Sequence, residues 1–383
     1  MFCTFMLIAV LNYGYQFVAG RVLSPEEYGT MYSMFSAANI ALLIGVIFQT
    51  AMAKIIAVTT LSEREQKQTL KKHCIIQGVI ALVTFIVLVA LGYAFIDAAC
   101  IGIYVFCVNL SLFWIGVAQG KKRFKIFNIL CLVVPISKIA ASLALILGWH
   151  YDISFLIIAA AGVLAHFIGR HIMKKDAVAV NDTDSVKQII RTFFAALLPM
   201  GTLAAFSFMH NVTAKVIADD VQAGAYCLAA LLGTAMVAIP SAVTPVIVPY
   251  ASEQRSNKLL FVALGASEVI ACLGGVLFLI LKHPLLTFMF KENGVLAEPY
   301  VLPIFLMFIP IVAVYVLIYY LVAIGSKKIL NITCGLTFAA VMAVSFLAKE
   351  VTAMSYGYCA IYSIAAITLG ITAFLPAKKP NHI

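Results

Sequence analysis

Apolar runs of about the length that crosses a bilayer, roughly 20 residues each, alternate along this chain with short polar breaks. That pattern predicts twelve helical spans: 2–20, 25–53, 74–95, 98–118, 127–147, 153–172, 192–212, 220–250, 259–281, 301–323, 329–347 and 354–375. No stretch shows the alternation of a transmembrane β-strand. The expected class is an all-α polytopic membrane protein of about twelve transmembrane helices.

The break at 21–28 sets the plan of the chain. Ser24 is placed to cap the next helix, Pro25 fits its first turn, and Glu27, three residues after Ser24, is placed to reach back to the cap. The same device returns when Gly29 is set on Gly224. Ser24 then falls on Asp219 and Glu27 on Gln222. We therefore expect two copies of one unit, 1–180 and 181–383, each a six-helix bundle, joined by the polar segment 174–187. Six spans per copy make the repeats parallel, related by an axis along the membrane normal. Such bundles face each other across a central cleft.

Composition agrees with the pattern. The 383 residues are 63% hydrophobic and 11% charged, where a soluble domain is about a quarter charged; mean hydropathy is +1.05. The net charge of +10 first suggests a nucleic-acid partner, but its placement gives another reason. Arg64, Lys67, Lys71, Lys72, Lys121, Lys122, Arg123, Lys125, Lys174, Lys175, Lys187, Arg255, Lys258, Lys327, Lys328, Lys378 and Lys379 all follow even-numbered spans. This positive-inside pattern puts both termini in the cytoplasm of a cell-membrane protein, and no nucleic acid is expected. Trp149 and Tyr151 suit an interfacial aromatic belt. Met1–Val10 lacks the basic start of a cleaved signal peptide. The nine cysteines are scattered without a C-x-x-C pair and read as small core residues.

Polar positions inside spans mark candidate chemistry, because a polar stripe in a membrane faces protein or water. Asn12 and Gln16 share one face of the first span. Ser33, Ser36 and Asn39 line the second, which also carries Gln49; Thr202, Ser207, His210 and Asn211 line the seventh, and Thr234, Ser241 and Thr244 the eighth. Two readings stand for these residues: interhelical hydrogen bonds, or a polar cleft. Prolines at 199, 240, 245, 249, 303 and 310 allow kinks. Lys138, near the middle of the fifth span, either binds an anionic head group or is held by carbonyls freed by Pro135. Glu268 is the candidate for ion coupling, or else a helix-contact acid. His210 lies near the end of its predicted span, where a satisfied interfacial histidine competes with a titrating one. There is no P-loop, no dinucleotide fingerprint, no H-E-x-x-H and no paired acids in a span. No enzyme activity, cofactor or metal is expected.

The stretches N-Y-G-Y-Q-F-V-A-G-R-V-L-S-P-E-E-Y-G, A-K-V-I-A-D-D-V-Q-A-G-A-Y, I-P-S-A-V-T-P-V-I-V-P-Y-A-S-E and Y-L-V-A-I-G-S-K-K resemble the oligosaccharide flippase (polysaccharide biosynthesis protein) family. That family belongs to the multidrug, oligosaccharidyl-lipid and polysaccharide exporters. The resemblance implies alternating access and transport of an undecaprenyl-diphosphate-linked oligosaccharide to the outer leaflet. Polysaccharide polymerase and glycosyltransferases are then expected partners. It implies a cationic cleft for the diphosphate, and Lys138 resembles a basic position common in the family's fifth span; on the polar-cleft reading of the spans, Asn12, Gln16, Asn39, His210 and Asn211 are the candidate residues along that cleft. His210 and Asn211 stand where family members often carry an acid. A cation- or proton-coupled multidrug antiporter of the same superfamily is the alternative.

Overall fold

The computed structural model describes residues 2–57, 62–173, 184–253, 256–324 and 327–374, without side chains for 2, 3, 5, 184, 238–253 and 327. It is all helical. The helices are α1 (Phe2–Val22), α2 (Pro25–Ile56), α3 (Glu63–Ala90), α4 (Phe95–Gly120), α5 (Phe124–Ile146), α6 (Tyr151–Met173), α7 (Asp184–Ile217), α8 (Asp220–Glu253), α9 (Asn257–Ile280), α10 (Lys282–Phe290), α11 (Asn293–Ala323), α12 (Lys327–Leu347) and α13 (Val351–Phe374). Among the described residues, eleven helices are long and apolar enough to cross a membrane. The chain is a multi-pass membrane protein.

The helix starts follow from local chemistry. Ser24 Oγ accepts from Glu27 N at 3.2 Å while Glu27 Oε2 accepts from Ser24 N at 2.9 Å, a complete capping box. Asp219 Oδ1 accepts from Gln222 N at 2.8 Å at the equivalent start of α8. A second complete box was not anticipated: Ser62 and Glu65 cap α3. It explains why α3 begins at Glu63 rather than at 74. The charged residues 63–72 form its first turns instead of a loop. Likewise α7 begins at Asp184, and α10 lies in the connection between the ninth and tenth expected spans.

The chain divides into two compact units, Met1–Gly201 with Met289–Asn293, and Thr202–Phe288 with Gly294–Ile383. In the first, α4 packs on α2, α3, α5 and α6. Phe48, Phe113, Trp114 and Phe193 form its buried aromatic core. Two glycines let helices approach closely, one against backbone and one against a side chain. A Cβ on Gly162 of α6 would lie 2.6 Å from Cys107 O of α4, and one on Gly45 of α2 would collide with the Asn109 side chain. Asn109 Nδ2 in turn donates to Gln77 Oε1 at 2.8 Å, and its own carbonyl meets His73 Nε2 at 2.9 Å. Lining the outside of this unit are Ile75, Val79, Leu82, Val83 and Ile86 of α3, all exposed. A row of large exposed apolar side chains on one helix is a lipid face.

The second unit is tied by a buried polar column. Tyr226 OH lies 3.1 Å from Ser355 Oγ, Tyr358 OH lies 3.1 Å from Thr213 Oγ1 and 2.5 Å from Ser345 Oγ, and Tyr362 OH donates to Phe206 O at 3.4 Å. Pro310 has no N–H to give the carbonyl of Leu306 one turn earlier. Cys359 Sγ donates to that carbonyl at 3.3 Å instead. The side chains of Pro240, Pro245, Pro249, Ser241 and Thr244 lie outside the described residues, as do 174–183 of the expected linker.

Candidate functional site

Lys138 sits on α5 three residues after Pro135 and is only 6% exposed. Its Nζ donates to Asn12 Oδ1 of α1 at 2.7 Å. It lies 4.6 Å from the Phe35 ring centre and 5.7 Å from that of Tyr15. The π faces attract the cation and stand in for part of its lost hydration. Phe35 is itself stacked on Tyr104 at 6.0 Å and Phe155 at 6.4 Å. The cation therefore rests against aromatic groups carried on α1 and α2, backed by α4 and α6.

An ammonium has three donors. One is used by Asn12. Among the described residues no carboxylate lies within ion-pair distance of Nζ, and no second hydrogen bond is made. A buried cation without an anion is costly. Gln16 follows Asn12 by one turn. It is 5% exposed, and its Oε1 is buried without a hydrogen-bond partner among the described residues.

Of the residues singled out from sequence, the structure brings Asn12 and Lys138 into contact and places Gln16 on the next turn of α1. Asn39, on α2 one turn beyond Phe35, is half-buried and makes no hydrogen bond to that pair. Tyr15 and Phe35 were missed. Their signal was present, since Tyr15 falls between Asn12 and Gln16, and Phe35 lies four residues before Asn39. Ser33, read as part of a polar stripe, accepts from Tyr93 OH at 2.8 Å, and Thr202 donates to Cys334 O at 3.4 Å. The first ties α2 to the link between α3 and α4, and the second ties α7 to α12.

His210 and Asn211 belong to the second unit. His210 is not near the end of its helix, because α7 continues to Ile217, and it is fully buried. Its Nε2 lies 3.1 Å from Ser207 O and its Nδ1 3.2 Å from Tyr226 OH. A carbonyl only accepts, so Nε2 carries the proton and Nδ1 takes the tyrosine hydrogen. Both nitrogens are engaged in this arrangement, and the ring edge meets Phe308. Asn211 is fully buried beside it in sequence. Glu268, half-buried on α9, meets the backbone amide of Ala313 on α11, and its Oε1 is buried without a hydrogen-bond partner among the described residues. No described basic side chain pairs with it. One expectation is corrected. Tyr151 does not join Trp149 in an interfacial belt. Trp149 is 52% exposed, but Tyr151 is 6% exposed because its hydroxyl turns inward to Asp97.

No family model matches the sequence, and no curated protein matches it either. The fold does have relatives among solved structures. An inward-facing multidrug resistance MATE family transporter of the MOP superfamily superposes with TM-score 0.67, covering 96% of this chain and 93% of its own, at 10% identity. Lipid II flippase MurJ in an inward closed conformation gives 0.69, covering 97% and 86%, at 11% identity. A MOP superfamily transporter from Pyrococcus furiosus, described as having a binding pocket of reverse polarity, gives 0.63, covering 97% and 92%, at 15% identity. The chain has the fold of MOP superfamily transporters.

Proposed function

We propose that this protein is a flippase that moves a polyprenyl-diphosphate-linked oligosaccharide across the cytoplasmic membrane by alternating access between two helical bundles. The observation that carries the reading is Lys138, a buried cation with donors to spare, an amide to orient it and aromatic faces around it. In this reading an anionic phosphate group takes the unused N–H donors of Lys138. Asn12 and Gln16 offer amides to adjoining hydroxyl or phosphate oxygens, and Asn39 contacts sugar; His210 and Asn211, fully buried within the second unit, hold that unit together. The prenyl tail stays in lipid. The basic residues after even-numbered spans support termini on the cytoplasmic side. Polymerase and glycosyltransferases would work on the same lipid-linked intermediates.

A neighbour of the same fold is by name a lipid II flippase, which supports a lipid-linked cargo. The MATE neighbours favour a second reading, a cation- or proton-coupled multidrug antiporter. Glu268 would then be the coupling group, as the half-buried acid with an oxygen to offer. Deleting the gene separates the two. The flippase reading expects loss of surface glycan with build-up of the lipid-linked precursor on the cytoplasmic side. Unchanged glycan together with heightened sensitivity to cationic drugs would favour the antiporter.

A further inference from the structure

Away from Lys138, at the end of the first unit where α3 meets α4 and α5 meets α6, three side chains from separate stretches converge. Asp97 comes from the first turn of α4, His150 from the link before α6, and Asp152 from the first turn of α6. One donor atom from each lies within 4.8 Å of the other two. His150 Nδ1 is 2.9 Å from Asp152 Oδ2. Tyr151 OH donates to Asp97 Oδ2 at 2.9 Å, and the Tyr151 ring lies 4.1 Å from the imidazole, centre to centre.

We propose that Asp97, His150 and Asp152 bind a divalent transition-metal ion. Two carboxylates held this close repel each other unless a positive charge or a shared proton lies between them. Among the described residues no lysine or arginine comes within ion-pair distance of either. Asp97 is 8% exposed, so water screens its charge poorly. The second oxygen of Asp152, Oδ1, is buried and has no hydrogen-bond partner among the described residues. The two carboxyl groups also lie within hydrogen-bond reach of each other, a contact that either a shared proton or an ion between them satisfies.

The donor set decides the class of ion. One imidazole nitrogen with carboxylate oxygens suits zinc or manganese, whereas calcium and magnesium prefer oxygen throughout. Three protein ligands leave room for water to complete the shell. Tyr151 supplies the outer hydrogen bond that aims Asp97, the arrangement by which metal sites orient their carboxylates. His150 has a side chain 54% exposed, which gives the ion a way in from solution. A bound ion ties the start of α4 to the start of α6. This inference is independent of the cargo carried.

The test uses the full-length protein in detergent, stripped with a chelator and titrated with zinc, manganese or calcium by calorimetry. One equivalent of zinc or manganese should bind saturably, with calcium weaker. His150→Ala, at an exposed position that leaves the fold intact, should abolish that equivalent. Tyr151→Phe should weaken it by about 10- to 100-fold. His283→Ala, at the exposed His283–Glu298 pair, should bind as the unaltered protein does. Equal zinc uptake in His150→Ala, or no saturable binding by the unaltered protein, would overturn the site and leave His150 and Asp152 as an ordinary ion pair.

Discussion

Lys138 on α5 donates to Asn12 on α1 at 2.7 Å, across 126 residues of sequence, with no carboxylate in ion-pair distance among the described residues. The bond fixes where the charge sits, and the absence of an acid fixes what it still lacks. Replacing Lys138 with methionine keeps most of the volume and removes the charge. A hydrogen bond to a charged group is worth about 1.5–3 kcal/mol, so anionic cargo should bind roughly 10- to 100-fold more weakly. Thermal unfolding should change little, because a buried ion without an anion adds little stability. Binding of a polyprenyl diphosphate to purified protein measures the first, and a melting curve the second.

Asn12→Ala should act in the same direction but more mildly. It frees Nζ without removing the charge. Cargo binding should fall less than in Lys138→Met, and Asn12→Asp should fall at least as far as Lys138→Met because a carboxylate would neutralise the cation. Tight binding in Asn12→Asp would show that the charge plays no part in recognition.

The tyrosine column of the second unit should carry stability rather than cargo. Tyr358→Phe removes a hydroxyl shared by Thr213 and Ser345. Each such bond contributes about 0.5–1.5 kcal/mol. The variant should melt lower and move cargo at an undiminished rate once folded.

Gly162→Ala should be harmful through packing alone. The added Cβ meets Cys107 O at 2.6 Å, backbone that cannot step aside. Overpacking of this kind costs about 1–3 kcal/mol. A lower melting temperature checks it, with Gly201→Ala, where the added atom meets nothing within 4 Å, as the matched control.

Glu268→Gln tests coupling. If Glu268 carries the driving proton or cation, the glutamine variant should still move cargo down its gradient but no longer respond to an imposed pH or sodium gradient. Gradient-driven transport at the unaltered rate would assign Glu268 to a helix contact with Ala313.

The helices and the caps at Ser24 and Asp219 were legible because a span's length and a cap's spacing are local properties. Helix faces were not. In lipid both the buried and the outer face of a helix are apolar, so Ile75 and Phe48 look alike in sequence although one faces outward and the other is buried. The extension of α3 was hidden because its charged first turns read as loop until the Ser62–Glu65 box was seen. The Lys138–Asn12 contact depends on packing between distant helices, which no spacing records. Tyr151 misled because a tyrosine near a span end suits an interface unless a buried acid such as Asp97 claims its hydroxyl.

The most direct measurement is transbilayer movement of a labelled polyprenyl-diphosphate oligosaccharide in proteoliposomes containing the unaltered protein or Lys138→Met at equal amounts. Movement is expected with the unaltered protein, with a drop of about tenfold or more for Lys138→Met, in keeping with a lost charge-assisted contact. Equal movement with both proteins would contradict this expectation.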